Sequence, residues 1–228
     1  MGLIAIGDVH GCRRSLQALL KALNLRSEDH LVFIGDYVDR GPDSHGVIQD
    51  LLALRTQQEC TFLRGNHESL LLSYVDRGEF ETFIHNGGQQ TLASYGMDVG
   101  NLYFPEDHMA FIRETKLYLD TEDLDLDTEE AFFVHAGLRP GLSVQENKER
   151  GDEMIFLWER SHIRCSNDEL AWEKTVICGH TPVARPINLP KLINVDTGCV
   201  FGPRRPEFGR LTAVRWPERE FVSVNYAE

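Results

Sequence analysis

Apolar residues fall along the chain in two rhythms. Leu3 to Ile6, Leu31 to Ile34 and Cys60 to Leu63 are short, mostly apolar runs, each ending in glycine and polar residues, the pattern of strands buried on both faces. Between them Leu16, Leu19, Leu20 and Leu23, then Val47, Ile48, Leu51, Leu52 and Leu54, recur at helical spacing. The predicted order is strand, helix, strand, helix, strand. Asp8 and Asp36 are 28 residues apart and Asp36 and Asn66 are 30 apart, the interval of a βαβ unit. Ligands of open α/β sheets collect beyond the carboxyl ends of the strands, so these three polar loops should converge on one site.

The second half is richer in strands. Ala131 to Val134, Thr175 to Cys178, Leu192 to Val195, Leu211 to Val214 and Phe221 to Val224 are short, apolar or alternating, and bounded by Gly or Pro. Chain order suggests that they form a second sheet packed on the first. Three of them end in polar motifs, His135-Ala136-Gly137, Gly179-His180-Thr181 and Asp196-Thr197-Gly198. There is no repeat, low-complexity tract or Gly/Ser linker, so residues 1–228 are expected to form one α/β domain. At 228 residues and 42% hydrophobic, the chain can bury a substantial core.

Charge narrows the function. Lys plus Arg is 23 and Asp plus Glu is 36, a net charge of −13, which argues against nucleic acid or an anionic membrane as partner. Leu3 to Ile6 is too short for a signal peptide or a membrane span. Ile6 stands where a myristoylation signal after Gly2 needs Ser or Thr. A cytoplasmic protein is expected. Its five cysteines, Cys12, Cys60, Cys165, Cys178 and Cys199, show no C-x-x-C pair and are read as reduced thiols. Cys12 and Cys199 adjoin chemistry-bearing motifs but are read as small buried residues. Asp120 to Glu130 holds seven acids and no base. Its alternation at Asp123, Asp125 and Asp127 lacks the glycine and terminal glutamate of a calcium loop, so a solvated turn between strands is expected.

Six strand ends present Asp8, His10, Asp36, Asn66, His135 and His180, all oxygen or imidazole donors. Such a set suits divalent ions of intermediate hardness, Mn²⁺ first and Fe²⁺ or Zn²⁺ as alternatives. Two adjacent cations need a carboxylate between them, and Asp36, on the middle motif, is the natural bridge. A pair of ions lowers the pKa of a shared water and holds a phosphoryl oxygen. With Asp8, Asp36 and a hydroxide, it would leave the site cationic within an acidic chain. His30, His45, His85, His108 and His162 lie outside these motifs and are read as surface or packing residues.

G-D-V-H-G at Gly7 to Gly11, G-D-Y-V-D-R-G at Gly35 to Gly41, G-N-H-E at Gly65 to Glu68, His135-Ala136-Gly137 and Gly179-His180 together resemble the phosphoprotein phosphatases, the Ser/Thr phosphatases of the metallophosphoesterase fold, and most of all their small bacterial and phage members. Asn86-Gly87-Gly88, Leu157-Trp158 with Arg160, and Asp196-Thr197-Gly198 followed by Val200-Phe201-Gly202 agree, so the likeness runs from Gly7 to about Gly202. The resemblance implies a calcineurin-like fold, a central β-sandwich flanked by helices. It also implies two metals, one on Asp8, His10 and Asp36, the other on Asp36, Asn66, His135 and His180. His67 corresponds to the general acid, oriented by Asp39, while Arg40 and Arg160 correspond to arginines that hold phosphate oxygens.

Elementary chemistry supports those roles. A serine alkoxide is a poor leaving group and needs a proton, which an imidazolium paired to a carboxylate retains near neutral pH. Forked guanidinium donors match the equatorial oxygens of an in-line displacement. The expectation is therefore a protein Ser/Thr phosphatase acting on phosphorylated proteins or peptides, with small phosphoesters as further substrates. Its rival is a symmetrical dinucleoside tetraphosphatase, similar in metal ligands and in Gly41-Pro42-Asp43-Ser44, but typically with Ala where this chain has Asp39. A non-catalytic phosphopeptide-binding module on the same fold is disfavoured because every putative ligand, His67, Asp39 and Arg40 are present. After Gly202, Pro203 to Gly209 intervenes where small family members continue directly into a strand. This segment is read as a surface hairpin whose two arginines would attract anions near the site entrance.

Overall fold

Leu3 and Ala5 of the first strand pack into one core and Ile4 and Ile6 into another, all four buried. The first strand therefore separates two apolar layers, as a continuous apolar run allows. The computed structural model describes residues 2–124 and 128–228. Strands β1 (Leu3–Ile6), β2 (His30–Phe33) and β3 (Glu59–Phe62) are parallel, joined through α1 (Arg13–Leu23) and α2 (Ser44–Leu54). Two of the predicted strands begin one residue early, yet Ile34 still bonds Ile6 O at 2.9 Å and Leu63 bonds Phe33 O at 2.9 Å.

After β3 come α3 (Asn66–Arg77), then α4 (Phe80–Phe83) and α5 (Gln89–Ser94) around a wide turn at Ile84–Gly88, and α6 (Glu106–Glu114). The second sheet uses β4 (Tyr118–Asp120), β5 (Ala131–Val134), β6 (Thr175–Cys178), β7 (Ile187–Asn188) and β8 (Leu192–Asn194), in the order β4-β5-β6-β8-β7. Helices α7 (Val144–Arg150) and α8 (Glu153–Trp158) lie between β5 and β6 in the chain. Strands β5, β6 and β8 are parallel, and the short edges β4 and β7 are antiparallel to their neighbours.

The last two strands, β9 (Arg210–Trp216) and β10 (Glu220–Asn225), correct the sequence reading. They belong to the first sheet, ordered β10-β9-β1-β2-β3, with Leu3 opposite Trp216 and Ile6 opposite Ala213. Their period-two pattern would suit either sheet, and the free edge of β1 decides the pairing. Leu3, Ala5, Val32, Val214 and Trp216 then face Ala131, Phe133, Ile177 and Ile193 across the inter-sheet core. Helices α1, α2, α3 and α6 cover the outer face of the first sheet, while Val144, Phe156 and Trp172 cover that of the second. The result is a β-sandwich between helical layers, as the sequence led one to expect.

The acidic run is less solvated than predicted. Asp120 is buried, 2.6 Å from Lys148 Nζ and 2.8 Å from Lys174 Nζ, and Lys174 also meets Glu122 at 2.8 Å. Glu122, Asp123, Glu129 and Glu130 are exposed. Asp125 and Asp127, part of the alternation, lie outside the described residues. Cys12 and Cys199 are buried as expected, and Cys12 Sγ donates to His10 O at 3.5 Å. Among the described residues no helix is long and apolar enough to cross a membrane.

Candidate active site

The loops after β1, β2, β5 and β6, with the first turn of α3, meet at one end of the sandwich. Backbone geometry there is unusual. Of the seven non-glycine residues with positive φ among those described, five are His10, Asp36, Asp39, Arg40 and His180. L-residues avoid this region unless the surroundings impose it, and functional loops are where such strain collects. The loops also approach closely: a Cβ on Gly35, at φ 111°, would lie 2.6 Å from Gly65 N, and one on Gly41 would collide with the His10 carbonyl. Glycine is required at both positions.

Asp36 is the hub. One carboxylate oxygen lies 3.4 Å from His10 Nε2 and 3.9 Å from His67 Nε2, while the other lies 3.5 Å from His135 Nε2. Two groups able to hold a cation, His10 with Asp36 and His67, and Asp36 with His135 and His180, thus share this one side chain. Asn66 Oδ1 and His180 Nδ1 each lie 3.1 Å from His135 Nε2, placing Asn66 in the second group. Asp8 is buried but stands outside both groups of three, and its carboxylate accepts the His180 amide at 3.1 and 3.2 Å. His67, assigned to acid chemistry from sequence, is close enough to share the first group with His10.

Second partners fix the tautomers. His10 Nδ1 is 2.9 Å from Val38 O and His135 Nδ1 is 3.0 Å from Ile34 O, so each donates there and turns an Nε2 lone pair inward. Burial, then the Arg40 charge, holds the His10 pKa well below the imidazole range. Burial also lowers His135, and burial with His135 lowers His180 to about 2. Neutral imidazoles are the form that binds a cation. Burial alone would raise Asp36, but His135, His67, His10 and His180 outweigh it and hold its pKa well below the carboxylate range. Asp8 is pushed well up by burial, Asp196 and Asp36, repulsions that a cation would relieve. Buried and unpartnered, His180 Nε2 completes a donor set that fits divalent ions.

His67 behaves differently. Its Nδ1 is 2.7 Å from Asp39 Oδ2, both side chains are fully buried, and although burial lowers its pKa, Asp36 and Asp39 raise it more. A charged imidazole with a free Nε2 beside Asp36 can deliver a proton into the site. Of the two arginines, Arg40 Nη1 donates to His10 Nε2 at 2.7 Å, and Arg160 Nη1 donates to His180 O and Thr181 Oγ1 at 3.4 Å. Burial, then the Arg40 charge, lowers the Arg160 pKa.

Three supporting residues were not assigned roles from sequence. Thr91 Oγ1 donates to Asp39 Oδ1 at 2.6 Å and so orients the carboxylate that orients His67. Its signal is the spacing from Asn86-Gly87-Gly88, since Gly87 O accepts the Arg40 amide at 3.1 Å and brings that turn against the Asp39-Arg40 loop. Glu68, the last residue of Gly65 to Glu68, accepts the amides of Asp36 at 2.9 Å, Tyr37 at 2.8 Å and Gly65 at 2.9 Å, clamping the β2 loop to α3. Burial, with Asp36 nearby, raises its pKa to about 7. Asp196 is buried at the end of β8, and burial raises its pKa to about 6.

The family model for calcineurin-like phosphoesterases matches residues 1–209. The chain belongs to this family. Its calcineurin-like fold extends to solved structures: a proposed diadenosine tetraphosphatase (TM-score 0.69, 24% identity, covering 100% of this chain and 94% of that one) and the cold-active protein-tyrosine phosphatase of a psychrophilic Shewanella (TM-score 0.64, 20% identity, 99% and 78%). At those identities they establish the fold alone. A phosphoesterase relative in Anoxybacillus flavithermus, the asymmetrical bis(5'-nucleosyl)-tetraphosphatase PrpE, is 30% identical over 239 residues, 96% of this chain and 92% of its own length. These relatives are named asymmetrical tetraphosphatases, whereas the sequence reading placed a protein Ser/Thr phosphatase first and a symmetrical tetraphosphatase second.

Proposed function

We propose that the protein is a metal-dependent hydrolase of dinucleoside polyphosphates that cuts them asymmetrically. The observation that carries the chemistry is the pair of His/Asp groups joined through Asp36, with His67 and Asp39 beside them. The substrate class rests on the similarity, along 96% of the chain, to the PrpE tetraphosphatase. Asp8, His10 and Asp36 would hold one divalent ion, and Asp36, Asn66, His135 and His180 the other, with Mn²⁺ suited to these donors. Such a pair supplies a water of lowered pKa and positive charge against the phosphoryl oxygens. Arg40 and Arg160 grip the remaining oxygens, whose charge builds up during displacement. His67 Nε2 gives its proton to the departing oxygen, and Asp39 and Thr91 keep the ring aimed.

A second reading, hydrolysis of phosphoserine or phosphothreonine in proteins, is favoured by the 2.7 Å contact between His67 and Asp39. A carboxylate-backed acid matters most when the leaving group is an alkoxide. The deciding experiment gives metal-reconstituted enzyme diadenosine tetraphosphate, phosphoserine, phosphothreonine and phosphotyrosine peptides, and an aryl phosphate, and separates the nucleotide products. Diadenosine tetraphosphate should exceed the peptides in kcat/KM by about tenfold or more, releasing AMP and ATP in equal amounts. ADP as sole product would make the cut symmetrical, and a preference for phosphoserine or phosphothreonine would replace this reading with the second.

A further inference from the structure

A cavity of about 350 Å³ opens beside Arg40, within the range of small-molecule clefts, roughly 300–1,000 Å³. Its walls come from three places that are distant in sequence: the Arg40 loop, the His85-Asn86-Gly87 turn, and the Phe201 to Arg204 segment with Tyr226. Arg40 belongs to both this cavity and the metal-ligand cluster. Its Nη1 reaches His10 at 2.7 Å, and its guanidinium carbon lies 5.7 Å from the centre of the Phe201 ring. Arg40 is therefore shared by the two.

Charge singles the cavity out. This chain carries 36 acidic residues, and four other clefts on its surface are each lined by at least one of them, among them Asp76, Asp43, Glu114 and Asp98. The lining beside Arg40 includes Arg40, Arg204 and His85 and no carboxylate. Arg204 comes from the segment inserted after Gly202, which folds as a tight turn: Arg204 N and Arg205 N both donate to Phe201 O at 2.9 Å. Gly209 N bonds Gly198 O at 3.0 Å and Tyr226 N bonds Gly209 O at 2.8 Å, which ties the turn at its base. The inserted segment thus brings Arg204 to a cavity that Phe201, Tyr226 and Arg40 also line.

We propose that this cavity binds the nucleoside polyphosphate arm of the substrate that the metal centre does not hold. The arm's phosphates lie between Arg40 and Arg204, and its base rests against the aromatic side chains of Phe201 and Tyr226. Paired guanidinium groups suit a chain of phosphates, and aromatic faces suit a purine. The assignment rests on the dinucleoside polyphosphate reading and deepens it, because it gives the inserted segment a part in substrate choice.

The test measures inhibition of aryl phosphate hydrolysis by a non-hydrolysable ATP analogue and by inorganic phosphate, at constant free metal, in wild type, Arg204→Ala and the exposed charge control Arg150→Ala. Kinetics on diadenosine tetraphosphate run alongside. Arg204→Ala should raise Ki for the ATP analogue, and KM for the tetraphosphate, by about tenfold, and shift Ki for phosphate less than about twofold. Arg150→Ala should separate the two inhibitors by no such margin. If Arg204→Ala moves both inhibitors equally, or moves neither, the cavity is not the nucleotide site. If Arg204 instead governs KM for a phosphoserine peptide and leaves the ATP analogue untouched, the cavity is a phosphopeptide site and the proposal falls. If the analogue behaves as expected but wild type does not cleave the tetraphosphate, the cavity assignment stands and the proposed function is what fails.

Discussion

His67 is held by one ring nitrogen and leaves the other free toward Asp36. His67→Asn should therefore retain metal but lose rate in proportion to the basicity of the leaving group: little on the tetraphosphate or an activated aryl phosphate, whose leaving groups are weak bases, and most on a phosphoserine peptide. The gap between the extremes should be about 10²-fold in single-turnover measurements. Equal losses would make His67 a positioning residue. Asp39→Asn leaves the ring in place but removes a charge that raises the His67 pKa. The alkaline limb of the rate profile should then move to lower pH, because the imidazolium loses its proton earlier. Asp36 offers an oxygen to each group, whereas Asp8 stands apart from both. Accordingly Asp36→Asn should lose more bound metal per chain than Asp8→Asn, by elemental analysis at saturating metal, and equal losses would remove the bridging role.

At the scale of elements, the site depends on turns that end strands and begin helices. Asn66, His67 and Glu68 form the first turn of α3, placed by Glu68 bonding back to Gly65 and across to Asp36 and Tyr37. Elsewhere, β4 ends in Asp120 beneath Lys148 of α7 and Lys174 just before β6. Asp120→Asn would leave Lys174, with a side chain only 5% exposed, paired to Glu122 alone. Removing one partner of a buried pair costs several kcal/mol, so a loss of roughly 3 kcal/mol is expected in denaturant unfolding. The two lysines overcome the effect of burial and lower the Asp120 pKa. The unfolded chain then binds the proton more tightly than the folded one, and this contribution, complete above the ordinary carboxylate range, fades as pH falls through the folded value. Stability of the Asn variant should consequently respond less to acid than that of wild type.

Across the whole molecule, the site draws Asp8, His10, Asp36 and Asn66 from the first sheet and His135 and His180 from the second. A cation bound there ties the two sheets together and relieves repulsion among Asp8, Asp36 and Asp196. Added Mn²⁺ should raise the unfolding midpoint and a chelator should lower it, with about 2.7 kcal/mol gained at a free concentration 100 times the dissociation constant. Full activity with one ion per chain would exclude the two-ion arrangement.

The sequence by itself determined the local features. Apolar runs placed β1, β2, β3, β5, β6 and β8 to within a residue, and the polar residues at their ends marked Asp8, His10, Asp36, Asn66, His135 and His180. Those signals are short-range: a run of apolar residues buries both faces wherever it pairs, and glycine at a strand end permits the turn that turns a side chain inward. Tertiary structure decided the rest. It put β9 and β10 on β1, recruited the two- and three-residue edges β7 and β4, buried Asp120 under two lysines, and brought Thr91 to Asp39 and Arg204 to the cavity that Arg40 lines. Strand alternation has the same period in either sheet, and a lone polar residue carries no mark of its partner. Both choices depend on which edges and donors remain free once the two sheets have closed on one another.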